Sequence, residues 1–155
     1  MTIQRAGGEK IMREIKFRAW DKKQQKFVDD KQIKKNFNQY YKQPNSVIMQ
    51  FTGLKDKNGV EIYEGDIVSV PYVTPMGQLT DDEDYRCPVG YENGRFVLKI
   101  YPGSRGITKW CKIELGKYVP NYGNRTIIHN ETYLTVIGNI YENPELLKKE
   151  AWSMK

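Results

Sequence analysis

The stretch MQFTGLKDKNGVEIYEGDIV, residues 49–68, decides the fold. With Val47 and Ile48 ahead of it, its first residues form an apolar, β-branched and aromatic run of strand character. Asp56-Lys57-Asn58-Gly59 then gives the clearest turn signal in the chain, because Asn and Gly tolerate the positive φ that tight hairpins require. Val60-Glu61-Ile62-Tyr63 returns as a second strand. Glu64-Gly65-Asp66 bends the chain again, and residues 67–70 read as a buried third strand. Gly65 is expected where only a residue without Cβ is comfortable.

On the N-terminal side, Ile15, Phe17 and Ala19 alternate with Lys16, Arg18 and Trp20, the period of a strand with one buried face. Residues 21–24 turn the chain and Lys26-Phe27-Val28 returns. Residues 30–41 fit either a short amphipathic helix, with Ile33, Phe37 and Tyr40/Tyr41 on one side, or a polar hairpin. On the C-terminal side, residues 71–88 carry three prolines and the acid run Asp81, Asp82, Glu83, Asp84, and read as a long loop. Asn93-Gly94 marks a second tight turn, followed by strands at 96–101 and 107–115 and a loop at 118–124. Residues 132–141 form a strand with a bulge expected at Gly138. Asn143 and Pro144 then suit the cap and first position of a helix reaching about Lys149. The sum is a mainly β, β-rich α+β fold: a small, partly open β-barrel of short antiparallel strands with a short C-terminal helix.

Three separated stretches, MREIKFRAWD at 12–21, the central one at 49–68 and TVIGNIYENPELL at 135–147, closely resemble the YopX family of small phage and prophage proteins. Trp20, Gly53, Gly59, Gly65, Asp66, Gly138, Asn143 and Pro144 are the residues of these stretches expected to act as structural signature. The resemblance implies a single domain over 12–155, divisible into an N-terminal lobe at 12–46 and a barrel lobe at 47–150. It implies a viral setting without specifying an activity, and residues 69–131 lie outside it. Residues 1–11 precede the first recognisable stretch. Gly7-Gly8-Glu9 can be encoded by GGAGGTGAA, a strong ribosome-binding sequence at a suitable distance from Met12. A disordered leader upstream of a native start at Met12 is therefore expected, and intact mass of protein made from the native gene checks it. A dominant species beginning at Met1 or Thr2 overturns it.

Cys87 and Cys111 belong to no CxxC or Cys/His cluster, which fits two reduced thiols in the cytoplasm of a bacterial host. No apolar run approaches the roughly 18 residues of a membrane span. A catalytic apparatus is sparse. His129 is the only histidine, Gly103-Ser104-Arg105-Gly106 lacks phosphate-loop spacing, and no cofactor motif is present. Glu61, Glu64 and Asp66 could pair around a divalent cation, which keeps a metal-dependent enzyme as the third reading. Flanking a tight turn, they are better placed to accept backbone N–H bonds and stay hydrated.

The net charge of +6 gathers in two tracts. Residues 12–42 hold ten Lys and Arg against four Asp and Glu; residues 94–125 hold seven against Glu114 alone. Both interleave aromatic rings with cations, the combination by which single strands and nucleotides are held. In the second tract Trp110 and Lys112 fall on the face opposite Ile113. Lys99, Arg105, Lys109, Trp110 and Lys112 are thus the candidate ligand contacts. The first functional reading is a non-enzymatic binding module for nucleic acid or another anionic host component. The alternative is a protein-directed inhibitor or modulator of host machinery or defence, including one that sequesters a nucleotide signal. For that, Tyr72, Tyr85, Tyr118 and Tyr122 in the long loops are the candidate protein-interface anchors.

Overall fold

The computed structural model describes residues 14–70, 85–100 and 134–148, together with the backbone of short strands at 3–4, 10–11, 72–73, 111–114, 119–122 and 125–127. In chain order the elements are β1 (Ile3–Gln4), β2 (Lys10–Ile11), β3 (Phe17–Asp21), β4 (Lys26–Phe27), α1 (Asp30–Lys42), β5 (Ser46–Lys55), β6 (Glu61–Tyr63) and β7 (Asp66–Val70). They continue with β8 (Tyr72–Val73), β9 (Tyr85–Glu92), β10 (Arg95–Ile100), β11 (Cys111–Glu114), β12 (Val119–Tyr122), β13 (Arg125–Ile127), β14 (Thr135–Asn139) and a 3-10 turn at Pro144–Leu147. Every strand pairing is antiparallel. The two larger sheets run β4-β3-β5-β6 and β11-β10-β9-β7-β14, and one is curled as a half-barrel. β12-β13-β8 and β1-β2 are smaller. The β-rich, partly open barrel that the turn and strand pattern predicts is the observed architecture.

Each turn is built by its own residues. The Asp56 carboxylate is buried and accepts the N–H groups of Asn58 (2.8 Å) and Val60 (2.9 Å), closing the β5–β6 turn at Gly59. Its second oxygen takes the N–H of Val136 at 2.9 Å, tying that turn to β14. Gly65 has φ +81°, and its N–H donates to Val89 O while its own carbonyl accepts from Ile140 N. One glycine therefore joins the end of the four-stranded sheet to β9 and to the chain after β14. A Cβ there would stand 3.2 Å from Met49 Sδ. Asn93 and Gly94, with φ 50° and 79°, make the β9–β10 hairpin. Gly53 lies exposed where the β5–β6 register shifts. β14 carries the expected bulge between Val136 and Gly138, where the Asn143 amide packs so closely that a Cβ would meet its Oδ1 at 2.5 Å.

Residues 30–42 form the helix rather than the hairpin. The Asp29 side chain accepts the Lys31 N–H at 2.9 Å as its N-cap, and Ile33 is buried against the sheet. Phe37 rests on Phe17, with ring centroids 5.0 Å apart. The core divides between the sheets: Ala19, Trp20, Met49, Phe51 and Ile62 in one, and Ile67, Val68, Val70, Cys87, Val89 and Leu98 in the other.

Four sequence expectations are corrected. Trp20 is 2% exposed and Ala19 0%, so β3 is covered on both sides rather than on one, while Ile15, expected inside, is 64% exposed. Trp20 packs on Phe27 (5.0 Å, 73°) and stacks on Tyr141 (5.8 Å, 22°), a partner far along the chain. The loop expected at 71–88 contains β8 and the first half of β9. Pro88 is tolerated in β9 because it stands one residue beyond the last β9–β10 register pair, Leu98↔Val89, where no N–H is needed. The loop expected at 118–124 contains β12, hairpinned to β13 through Tyr122↔Arg125. The terminal helix is a four-residue 3-10 turn that Asn143 does not cap; its Oδ1 accepts the Asn139 N–H at 3.3 Å instead.

Candidate ligand-binding surface

Each basic tract has a place where a cation's surroundings are described, and the first, on β3, is sealed among aromatic rings. Along β3 the alternation of a strand puts Lys16, Arg18 and Trp20 on one side. The Arg18 guanidinium lies 4.9 Å from the Phe27 ring centroid and 4.7 Å from that of Tyr63, and its Nη2 donates to Asp66 Oδ1. Arg18 Nε is buried with no hydrogen-bond partner among the described residues. The Asp66 carboxylate, itself 1% exposed, also accepts the Tyr63 N–H at 2.7 Å. Burial pushes the Asp66 carboxyl up, against the downward pull of Arg18 and of that N–H. Lys16 lies 5.4 Å from the Phe51 centroid and pairs with Glu61 at 2.5 Å and Glu14 at 3.0 Å. The hydrogen bonds to Glu61 and Glu14 raise the Lys16 ammonium, and the same contact with Lys16 lowers Glu61. Tyr63, whose hydroxyl donates to Glu61 at 2.8 Å, is pushed up to about 12, first by burial and then by that carboxylate.

This arrangement holds the fold rather than a ligand. Its members come from all three stretches that resemble the family: Arg18 and Trp20, then Met49, Gly65 and Asp66, then Tyr141. Glu61 is paired with Lys16 and Asp66 with Arg18. Asp66 is dry, however, where the turn pattern suggested a hydrated carboxylate. Among the described residues no three His, Cys, Asp or Glu side chains gather closely enough to hold a metal ion.

The second place is the β9–β10–β11 face. Lys99 and Lys112 are register partners on β10 and β11, while Leu98, fully buried, is opposite Ile113. The backbone thus aligns two of the residues expected to contact a ligand. Lys99 crosses β9 over Gly90, where a Cβ would come within 2.6 Å of its Cε, and its Nζ stands 3.4 Å from Glu92 Oε1. It lines a cleft of about 170 Å³ at the junction of the two large sheets, with Met49, Glu64, Gly65, Gly90 and Tyr141. Tyr91, 49% exposed, stands at the same junction and meets Phe96 edge-on at 5.1 Å. Gly90 and Tyr91 escaped the sequence reading. A glycine inside a strand marks a close approach and was the signal available.

Arg105, Lys109, Trp110, Tyr118 and His129 lie outside the described residues. Tyr72, Tyr85 and Tyr122, expected in loops, stand on β8, β9 and β12. Tyr72 and Tyr122 belong to the three-stranded sheet and Tyr85 to the five-stranded one, so the backbone does not gather these tyrosines on one element. Among the described residues no helix is long and apolar enough to cross a membrane.

A family model described as YopX protein matches residues 16–148. No curated protein matches the chain. Among solved structures, protein EF1440 from Enterococcus faecalis is similar at 26% identity, covering 87% of this chain and 99% of its own, with a TM-score of 0.46. The match over 16–148 takes in the Arg18–Asp66 pair, the Gly65 junction and the bulge at Gly138 alike, and the chain belongs to the YopX family.

Proposed function

We propose that this chain is a phage- or prophage-encoded accessory protein that acts by binding, not catalysis, in the cytoplasm of a bacterial host. Its ligand is nucleic acid or another anion held on the β10–β11 face. The observation that carries the reading is the register pairing of Lys99 with Lys112. The pairing puts two lysines at one level of the ladder, and a phosphate bound there would draw the Lys99 ammonium from its half-exposed contact with Glu92. The surrounding tract, with seven basic residues against Glu114, adds long-range attraction for a polyanion.

Fluorescence anisotropy of a labelled single-stranded DNA 20-mer against salt tests this. Affinity should fall steeply between 50 and 200 mM salt, with a slope that loses about 0.7 for each phosphate contact removed. Lys99→Glu/Lys112→Glu should weaken binding by at least about tenfold at low salt. Binding that ignores both salt and the double variant removes the reading. A second reading, a protein-directed modulator of host machinery or defence, is favoured by Ile15 and Tyr41, large side chains exposed at 64% and 69% beside α1.

A further inference from the structure

The backbone bonding of β3 leaves part of one edge open. Phe51 N–H donates to Lys16 O and Lys22 N–H to Asn45 O, so even-numbered residues of this strand point their peptide groups at β5. Odd-numbered residues point the other way, and Val28 N–H donates to Ala19 O on that side. The β3–β4 ladder holds only Trp20↔Phe27 and Asp21↔Lys26. Beyond Val28 the chain turns at Asp29 into α1, and β4 stops accompanying β3. By this alternation the peptide groups of Phe17 and Ile15 face a side where, among the described residues, no backbone partner stands.

A cleft of about 240 Å³ runs along that same open edge. Its far wall is the α1 face of Ile33, Lys34 and Phe37, its near wall is Ile15, Lys16 and Phe17, and Glu61 and Tyr63 of β6 close it below. The polar groups at its rim are balanced: Lys16 is held by Glu61 and Glu14, and Asp30 stands one helical turn before Lys34. An edge strand beside an amphipathic helix is the geometry of strand addition, in which backbone bonds supply affinity and alternate side chains enter the groove.

We propose that this edge binds an extended, apolar segment of a partner protein, which adds to β3 as a strand in the place β4 vacates, beneath α1. Its backbone bonds Phe17 and Ile15, and an apolar side chain enters the cleft against the outer side of the packed Phe17–Phe37 pair. The balanced rim selects a segment of low net charge. The site is independent of the β10–β11 face.

A phage-displayed library of random 12-residue peptides, selected on the full chain, supplies the probe. An enriched peptide, made synthetically, should bind with less than threefold change between 50 and 500 mM NaCl and should slow amide exchange at Phe17. Ile15→Pro removes one N–H from the open edge, at a position where no described residue accepts it. It should weaken the peptide by at least about tenfold, whereas Ile15→Ala should change it less than threefold, both with melting temperature unchanged. Three outcomes overturn the proposal. They are a selection that enriches nothing, a bound peptide that leaves Phe17 exchange and the Ile15→Pro affinity unaltered, and a dimer of the free chain that Ile15→Pro dissolves. The last would give the edge to a second copy.

Discussion

β3 and β10 each carry a cation from one of the two basic tracts, and the two are held differently, Arg18 by aromatic rings and a buried carboxylate, Lys99 by a half-exposed glutamate. On β3 the Arg18 guanidinium lies between two rings, its charge is met by a buried Asp66, and three distant stretches close around it. On β10 the Lys99 ammonium is more exposed and stands 3.4 Å from Glu92, and the backbone of Lys99 pairs in register with that of Lys112. A cation–aromatic pattern in sequence therefore does not identify a ligand site. What separates the two is whether a carboxylate is buried with the cation, and that depends on residues far away in the chain.

The largest effect should come from breaking the sealed pair. Asp66→Ala leaves Arg18 buried without its counter-charge and should cost about 3–5 kcal/mol in urea unfolding. A loss under about 1 kcal/mol would mean that Arg18 is as well solvated as Lys99. Gly65→Val comes next. It forces a β-branched side chain to positive φ and against Met49 Sδ, and should cost about 1–3 kcal/mol. Normal stability with lost binding would move this glycine from the scaffold to the site.

Alkaline titration sharpens the contrast further. Tyr63 and Lys16 both have folded pKa values above their unfolded ones of 10.0 and 10.5. The folded state therefore holds more protons above pH 10, and stability should fall as pH rises from 10 towards 12. Tyr63→Phe should flatten the first part of that fall, followed by thermal melting at stepped pH. An unchanged slope would detach Tyr63 from the network. The smallest effect on stability should be that of Lys99→Glu/Lys112→Glu, which breaks one half-exposed ion pair with Glu92 and should cost no more than about 1 kcal/mol while reducing anion binding.

How much of this was legible follows from the range of each interaction. The turns at Asp56–Gly59, Gly65 and Asn93-Gly94 could be read because their chemistry is local: a side-chain oxygen or a glycine acts within a few residues of itself. The β-rich class followed from those turns. Trp20 was misplaced because what covers one of its faces is Tyr141, and no periodicity within β3 reveals that neighbour. β9 was hidden by Pro88 and the adjacent acids, although the register spares the proline its missing donor. Asn143 read as a cap because its position suits one, but the bulge at Gly138 draws its side chain back to β14. At the candidate site, Lys99 and Lys112 could be singled out from the charge of their tract, whereas their register and the route of Lys99 across Gly90 depended on strand pairing.

The junction at Gly65 also has a consequence for the order of synthesis. Its N–H waits for Val89 and its carbonyl for Ile140, while Asp56 waits for Val136. A nascent chain halted before β14 emerges from the ribosome therefore lacks the partners that fasten both ends of the central stretch. Such contacts, distant in sequence, form late and slowly. Completion of the last strand is what commits this protein to its fold, so arrested or C-terminally shortened chains should be substrates for proteases rather than smaller working versions of the molecule.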